Sequence, residues 1–154
     1  MNNPHEVYFE SQVLSASPQR LRLLLIEGAL RFGKQALRHW EADQWDAASE
    51  SLARCRDIVE ELLQSIHAET SPLAKRVADL YLFLFQTLAE AQVLRDQQQL
   101  TAVLGILESE RETWRQVCEQ EVANTPSDVP SPIPALLQTD YSELTESSGF
   151  SADA

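Results

Sequence analysis

The side chains that most often carry out chemistry are sparse in this sequence, and their spacing matches no common reactive arrangement. Its three histidines, His5, His39 and His67, are far apart, and none follows a glutamate by three residues as in di-iron helical bundles. No pair of Cys or His residues has zinc-like spacing, and neither a glycine-rich phosphate loop nor a G-x-S-x-G motif occurs. We therefore expect no enzymatic activity, no metal ion and no cofactor.

Two polar residues could still have a role of their own. A phosphotransfer bundle needs one exposed helical histidine, and His39 formally qualifies, although a solvated histidine at a helix end is the simpler interpretation. Arg111 falls within an apolar stripe, between Leu107 and Trp114. A charge there must be paired or must extend its methylene stem to water, and Glu27 is a candidate partner. We expect an internal pair, with contact to another protein as the alternative.

Length, charge and cysteine content narrow the class of protein. A chain of 154 residues, rich in Ala, Leu, Gln and Glu with only four glycines, favours one helical domain. A net charge of −12 has the wrong sign for binding nucleic acid. The sequence contains no run of 18 uncharged apolar residues, so we expect no segment that spans a membrane. Cys55 and Cys118 are expected to be buried reduced thiols, and the N-terminus lacks signal-peptide features. We expect a cytoplasmic protein.

Apolar periodicity predicts an all-α fold, an antiparallel up-down-up-down four-helix bundle. Ser17-Pro18 and Ser71-Pro72 are start signals, because serine caps a helix and proline is tolerated at its first position. Short connections favour antiparallel neighbours. The predicted helices cover residues 17–40, 44–66, 71–94 and the stretch from the turn at 95–97 to residue 122.

The segments on either side of the bundle differ from it in composition. We expect a lead-in at residues 1–16, the bundle domain at 17–123 and a tail at 124–154. The tail holds four of the seven prolines, five acidic residues and no Lys or Arg, which predicts disorder. A passive acidic tail is the simpler interpretation, and a short docking motif built on its apolar residues is the alternative.

Two predicted helices carry a second apolar stripe in addition to the one that a bundle core requires. At 100° per residue, one stripe of each helix is enough to face a core, and the opposite face is normally polar. The additional stripes comprise Leu23, Ile26, Leu30 and Leu37 in the first helix, and Ala78, Leu82, Phe85, Ala89 and Val93 in the third. In a chain this small, we expect the additional apolar surface to be covered by another protein.

Several segments resemble the FliS family, the flagellar export chaperones of flagellin. The sequence V-L-S-A-S-P at residues 13–18 and L-L-I-E-G-A-L-R-F at 24–32 resembles the opening signature of that family. Weaker similarity follows, in the same order, at residues 53–62, 80–91 and 107–114, the last reading L-E-S-E-R-E-T-W. The resemblance covers about residues 8–118 and leaves out the acidic tail.

This resemblance implies a non-enzymatic chaperone that binds the C-terminal region of flagellin, prevents premature polymerisation and delivers flagellin to the type III export gate. An amphipathic flagellin segment would lie in an apolar groove. We expect the groove to be formed by Leu23, Ile26, Leu30, Leu82, Phe85 and Ala89. The resemblance also implies that the lead-in, through Tyr8, Val13 and Leu14, is a movable cover. The alternative is a self-associating adaptor or structural bundle, such as a homodimer, whose additional stripes pair with themselves.

Overall fold

The computed structural model describes residues 4–7 and 15–124, and helices account for most of them. Residues 4–7 are helical and exposed. The four long helices are α1 (Pro18–Glu41), α2 (Trp45–Gln64), α3 (Pro72–Leu94) and α4 (Gln97–Asn124), with a short 3₁₀ helix at Ala68–Thr70 before α3. No strand occurs in these described ranges, which confirms the all-α prediction.

Helices α1 and α3 each begin with a serine N-cap followed by a proline, as predicted. The Ser17 hydroxyl accepts a hydrogen bond from the Arg20 backbone N–H at 3.1 Å, and the Ser71 hydroxyl accepts one from Ala74 at 3.0 Å. Each bond satisfies a donor that the first turn of a helix leaves without an intrahelical partner. The start of α2 has no such cap, because Gln44 occupies the N-cap position without a side-chain capping hydrogen bond. Asp43, just before it, adopts a left-handed backbone (φ 57°) in the connection.

Contacts between helices show that the neighbours run antiparallel. Helix α1 packs against α2 and α4, and α3 packs against the same two helices. Between α1 and α4, the Ser17 hydroxyl donates to Glu121 at 3.2 Å and Lys34 donates to Glu108 at 2.6 Å, so the start of α1 lies beside the end of α4. Between α3 and α4, Tyr81 donates a hydrogen bond to Glu110 at 2.8 Å, as expected for two antiparallel helices joined by a short turn.

The core is formed by large apolar side chains from all four long helices. Its largest fully buried members are Trp114, Tyr81, Ile26, Leu52 and Leu62, followed by Leu84, Leu88, Leu100 and Leu107. Arg22 is also buried, and its Nη2 donates to Ser65 Oγ at 2.7 Å while its guanidinium lies 5.1 Å from the centre of the Trp114 ring. A guanidinium can be accommodated there because it gains both a hydrogen bond and a cation–π contact.

Gly33 allows α1 and α4 to approach closely. A Cβ atom at this position would lie 2.5 Å from Leu104 Cδ2, on α4, and 3.5 Å from Cys55 Sγ, on α2. Gly33 and these two neighbours are buried, so the side chains have little room to move. By contrast, Gly105 is exposed, and a Cβ atom there would have no other atom within 4 Å.

We predict that alanine has opposite effects at these two glycines. Gly33→Ala should overpack the core at a cost of about 1–3 kcal/mol, which exceeds the gain of about 1 kcal/mol in helix propensity. Gly105→Ala should raise the free energy of unfolding by about 1 kcal/mol, because only the propensity changes. Urea denaturation monitored by circular dichroism measures both. A Gly33→Ala variant as stable as Gly105→Ala would contradict the close contact between α1 and α4.

The buried Cys55 gives a second prediction. Burial, the larger effect, raises the pKa of the Cys55 thiol to about 12, although a hydrogen bond with the Gly33 backbone opposes this. At pH 8 only about one thiol in 10⁴ would then be the reactive thiolate. Iodoacetamide should therefore leave Cys55 unmodified in the folded protein and alkylate it in 8 M urea, as peptide mass spectrometry can measure. Equal rates of alkylation in the two states would show that Cys55 is accessible.

Candidate functional site

The outer face of α3 exposes more apolar surface than a bundle helix normally does. Leu82 and Phe83 are 42% and 53% exposed, and Val93 near the end of the helix is 81% exposed. The opposite side of α3 contributes Tyr81, Leu84, Leu88 and Ala91 to the core, so its contacts with α2 and α4 are already made. The exposed apolar side chains are therefore surplus to the packing of the bundle.

We define the α3 face as Ala78, Leu82, Phe85, Ala89 and Val93; the exposed Phe83 lies beside this face, about 100° round the helix from Leu82. Leu82, Phe83 and Val93 are exposed, whereas Ala78, Phe85 and Ala89 are half-buried. Phe85 packs its inner edge against the core cluster. The two alanines are small, so a partner helix could come close to the α3 backbone between the larger side chains.

Polar contacts border the α3 face at both ends. Near the start of the helix, Lys75 and Asp79 form an exposed ion pair with 3.2 Å between Nζ and Oδ2. At the other end, the Arg95 guanidinium lies 4.7 Å from the centre of the Trp45 ring. An apolar centre with a polar rim is the usual composition of a surface that binds protein.

The α1 residues expected in the groove are buried in the structure. Leu23, Ile26 and Leu30 are buried in the core cluster and present no surface to a partner in this conformation. The physical reason is that α1 packs more extensively against α2 and α4 than α3 does, so more of its circumference is buried, including the additional stripe. Leu24 and Leu25, which lie outside that additional stripe, are only half-buried.

The predicted groove residues therefore fall into three groups. Leu82, Phe85 and Ala89 share the α3 face. Leu23, Ile26 and Leu30 belong to the core instead. The predicted cover residues Tyr8, Val13 and Leu14 lie outside the described residues.

Phe83 is an exposed residue that belongs neither to the predicted groove nor to the additional stripe of α3. It lies in the run Leu82-Phe83-Leu84, and three successive residues of a helix point in directions that differ by 100°. A single core contact can bury at most part of such a run, and the structure buries Leu84. The sequence alone therefore indicates that part of this run is exposed, and the packing of α3 against α2 and α4 decides that Phe83 is.

Arg111 and the histidines have ordinary surroundings. Arg111 is exposed and pairs with Glu108, one turn earlier in α4, at 3.3 Å, so Glu27 is not its ion-pair partner. His39 Nδ1 lies 2.7 Å from Gln44 Oε1, and His67 lies 3.6 Å from Glu69. Among the described residues, no group of three or more His, Cys, Asp or Glu side chains is arranged to hold a metal ion.

Helix α3 has the length and apolar composition of a possible membrane segment. By length and composition alone, it is the one described helix that is long and apolar enough to cross a membrane. This is weak evidence, because core helices of soluble proteins pass the same test. The buried side chains of α3, from Ala74 to Ala91, pack within the helical bundle.

Comparison with known proteins gives a consistent result. A family model described as flagellar protein FliS matches residues 1–121. The chain is 26% identical over 121 residues to the flagellar secretion chaperone FliS of Bacillus subtilis, covering 79% of this chain and 90% of that protein. It is 28% identical over 114 residues to the protein of the same name from Salmonella typhimurium, covering 73% and 84%.

The burial difference between α1 and α3 predicts opposite outcomes for the same substitution. Ile26→Asp places a carboxylate in the core and should lower the free energy of unfolding by more than about 4 kcal/mol. Leu82→Asp places it on the exposed face and should change that free energy by less than about 1 kcal/mol. Urea denaturation compares the two variants. Equal stability of both variants would show that the α1 stripe is exposed in solution.

Proposed function

This chain belongs to the FliS family of flagellar secretion chaperones, and on that premise we propose that its client is the C-terminal region of flagellin. In this proposal the protein binds newly made flagellin in the cytoplasm, prevents premature polymerisation and delivers it to the flagellar type III export gate. Its action is binding and release without catalysis.

The observation that supports this proposal is the exposed apolar α3 face. Leu82 is 42% exposed, and the half-buried Phe85 and Ala89 extend the same surface along the helix. Phe83, which is 53% exposed, adds apolar area beside this surface. An amphipathic segment of a client can place its own apolar stripe on such a face, in the helix-in-groove mode. Both partners then remove apolar area from water, which provides affinity without a specific catalytic group.

The individual residues would contribute differently to this contact. Leu82 and Phe83 would be the main anchors, because each still has much of its side chain exposed. Ala89 would allow a client helix to lie close to α3. The core residues Leu23, Ile26 and Leu30 would act only by holding the bundle together.

A movable lead-in would regulate access to the apolar surface. We propose, as the family resemblance implies, that Tyr8, Val13 and Leu14 cover part of the docking surface until the client displaces them. Such competition would lower the apparent affinity for the client, which suits a chaperone that must release its cargo at the export gate.

A self-associating bundle remains the alternative function, and the same α3 face supports it. Two copies could pair through Leu82 and Phe83 and bury the same side chains in a homodimer. In that case the flagellin fragment would not dissociate the dimer, and light scattering would report a dimer at micromolar concentration.

We predict that Leu82→Asp weakens binding of a flagellin C-terminal fragment at least about tenfold, because a buried Leu side chain is worth about 1.5–3 kcal/mol. Isothermal titration calorimetry with the purified full-length chaperone provides the dissociation constant. Ala102→Asp is the matched control, since it introduces the same charge at an exposed helical position, on α4. This control variant should bind as tightly as the unmodified protein.

Two results would contradict the proposal. One is the absence of a complex between the unmodified protein and the fragment on size-exclusion chromatography. The other is unchanged binding by Leu82→Asp, which would exclude the α3 face as the docking surface. Circular dichroism of each variant verifies that it is folded before its affinity is compared.

A further inference from the structure

A basic cleft of about 380 Å³ lies between α1 and α4, and the chaperone function does not account for it. It is lined by Glu27, Leu30, Arg31, Lys34, Arg38 and Arg111. Glu108 adds a second carboxylate, since it accepts a hydrogen bond from Lys34 at 2.6 Å and pairs with Arg111 at 3.3 Å. Four basic side chains against two carboxylates leave a local charge of +2 in a chain whose net charge is −12.

Two of the basic side chains in this cleft have no carboxylate partner. The Arg31 guanidinium lies 5.3 Å from the centre of the Phe32 ring, and neither Arg31 nor Arg38 forms an ion pair with any carboxylate of the described residues. Both side chains are exposed. The Lys34 hydrogen bond lowers the pKa of Glu108, so that carboxylate is already ionised and paired at neutral pH. Arg31 and Arg38 therefore remain available to an additional anion.

The end of the same chain has the complementary charge. Residues 125–154, outside the described part, contain five acidic residues and no Lys or Arg. Three of them, Asp140, Glu143 and Glu146, recur every three residues, and Arg31, Lys34 and Arg38 have nearly the same spacing along α1. Residues 1–124 carry 19 acidic and 12 basic side chains, so the bundle as a whole repels this segment while the cleft attracts it.

The segment is also long enough to reach the cleft. Helix α4 ends at Asn124, and the hydrogen bond between Ser17 and Glu121 places that end beside the start of α1. The cleft residues lie roughly 20–30 Å further along α1, at 1.5 Å per residue. The chain from Asn124 to Asp140 can span roughly 50 Å when extended, so distance does not prevent the contact.

We propose that the basic cleft between α1 and α4 binds the acidic segment around residues 140–146 of the same chain. Arg31 and Arg38 provide the free charges, and Lys34 and Arg111 strengthen the local field. Exposed ion pairs are individually weak, but the covalent connection keeps the segment at a high effective concentration near the cleft. The contact should weaken as salt screens the charges.

Carbodiimide cross-linking tests this contact in the full-length protein, because it joins amines directly to nearby carboxylates. Lys34 and Lys75 are the only lysines of the chain, so few products can form. At low ionic strength, peptide mass spectrometry should find Lys34 joined to Asp140, Glu143 or Glu146 at least fivefold more often than Lys75. The Lys34–Glu108 product is an internal reference, and 0.5 M NaCl should lower the yield of the segment product relative to it.

Matched variants make the test specific to the cleft. Arg31→Gln combined with Arg38→Gln should lower the yield of the segment product at least fivefold while the Lys34–Glu108 product persists. Arg54→Gln combined with Arg76→Gln removes two exposed basic side chains elsewhere and should leave the yield unchanged. All of these positions are exposed, so the variants should fold, as circular dichroism can verify.

Three outcomes would overturn the proposal. The first is a Lys34–Glu108 product without any product from residues 140–146. The second is equal cross-linking of the segment to Lys34 and Lys75. The third is a product that forms only between chains in a mixture of ¹⁴N- and ¹⁵N-labelled protein, which would mean that the cleft holds the tail of a second copy.

Discussion

Each long helix of this bundle packs against two neighbours, and the extent of that packing determines which apolar side chains stay exposed. Helix α1 and helix α3 both lie between α2 and α4, and both carry apolar residues on more than one side. In α1, both apolar stripes are at least partly buried, with Ile26 and Leu30 in the core. In α3, the contacts are satisfied by Tyr81, Leu84 and Leu88, and Leu82 and Phe83 remain at the surface.

The two surfaces of interest differ in chemistry and lie on different helices. The α3 face is apolar at its centre and suits the proposed amphipathic client, whereas the cleft between α1 and α4 is basic and suits an acidic segment. Apolar contact provides affinity that is insensitive to salt, and charge contact provides affinity that salt weakens. The bundle could therefore hold a client on one surface and its own acidic segment on another without direct competition between them.

Much of the fold could be predicted from the sequence because its signals are local. Ser17 and Ser71 cap their helices and the following prolines occupy the first turns, so two helix starts follow from adjacent residues alone. The start of α2 has no comparable local signal, since its N-cap residue, Gln44, makes no side-chain capping hydrogen bond. The pair between Arg111 and Glu108 is also local, one turn apart on α4, whereas the apolar residues around Arg111 in the sequence had indicated a partner on another helix.

The sequence by itself determined that the chain is helical, where α1 and α3 begin, and that α3 carries apolar residues on opposite sides. It also carried the resemblance to the family that the comparisons confirm. Only the tertiary structure decided which stripe of α1 faces the core, that Phe83 is exposed, and that Arg31, Lys34, Arg38 and Arg111 share a cleft. Periodicity defines the faces of a helix, but the direction in which each face points depends on where the neighbouring helices lie.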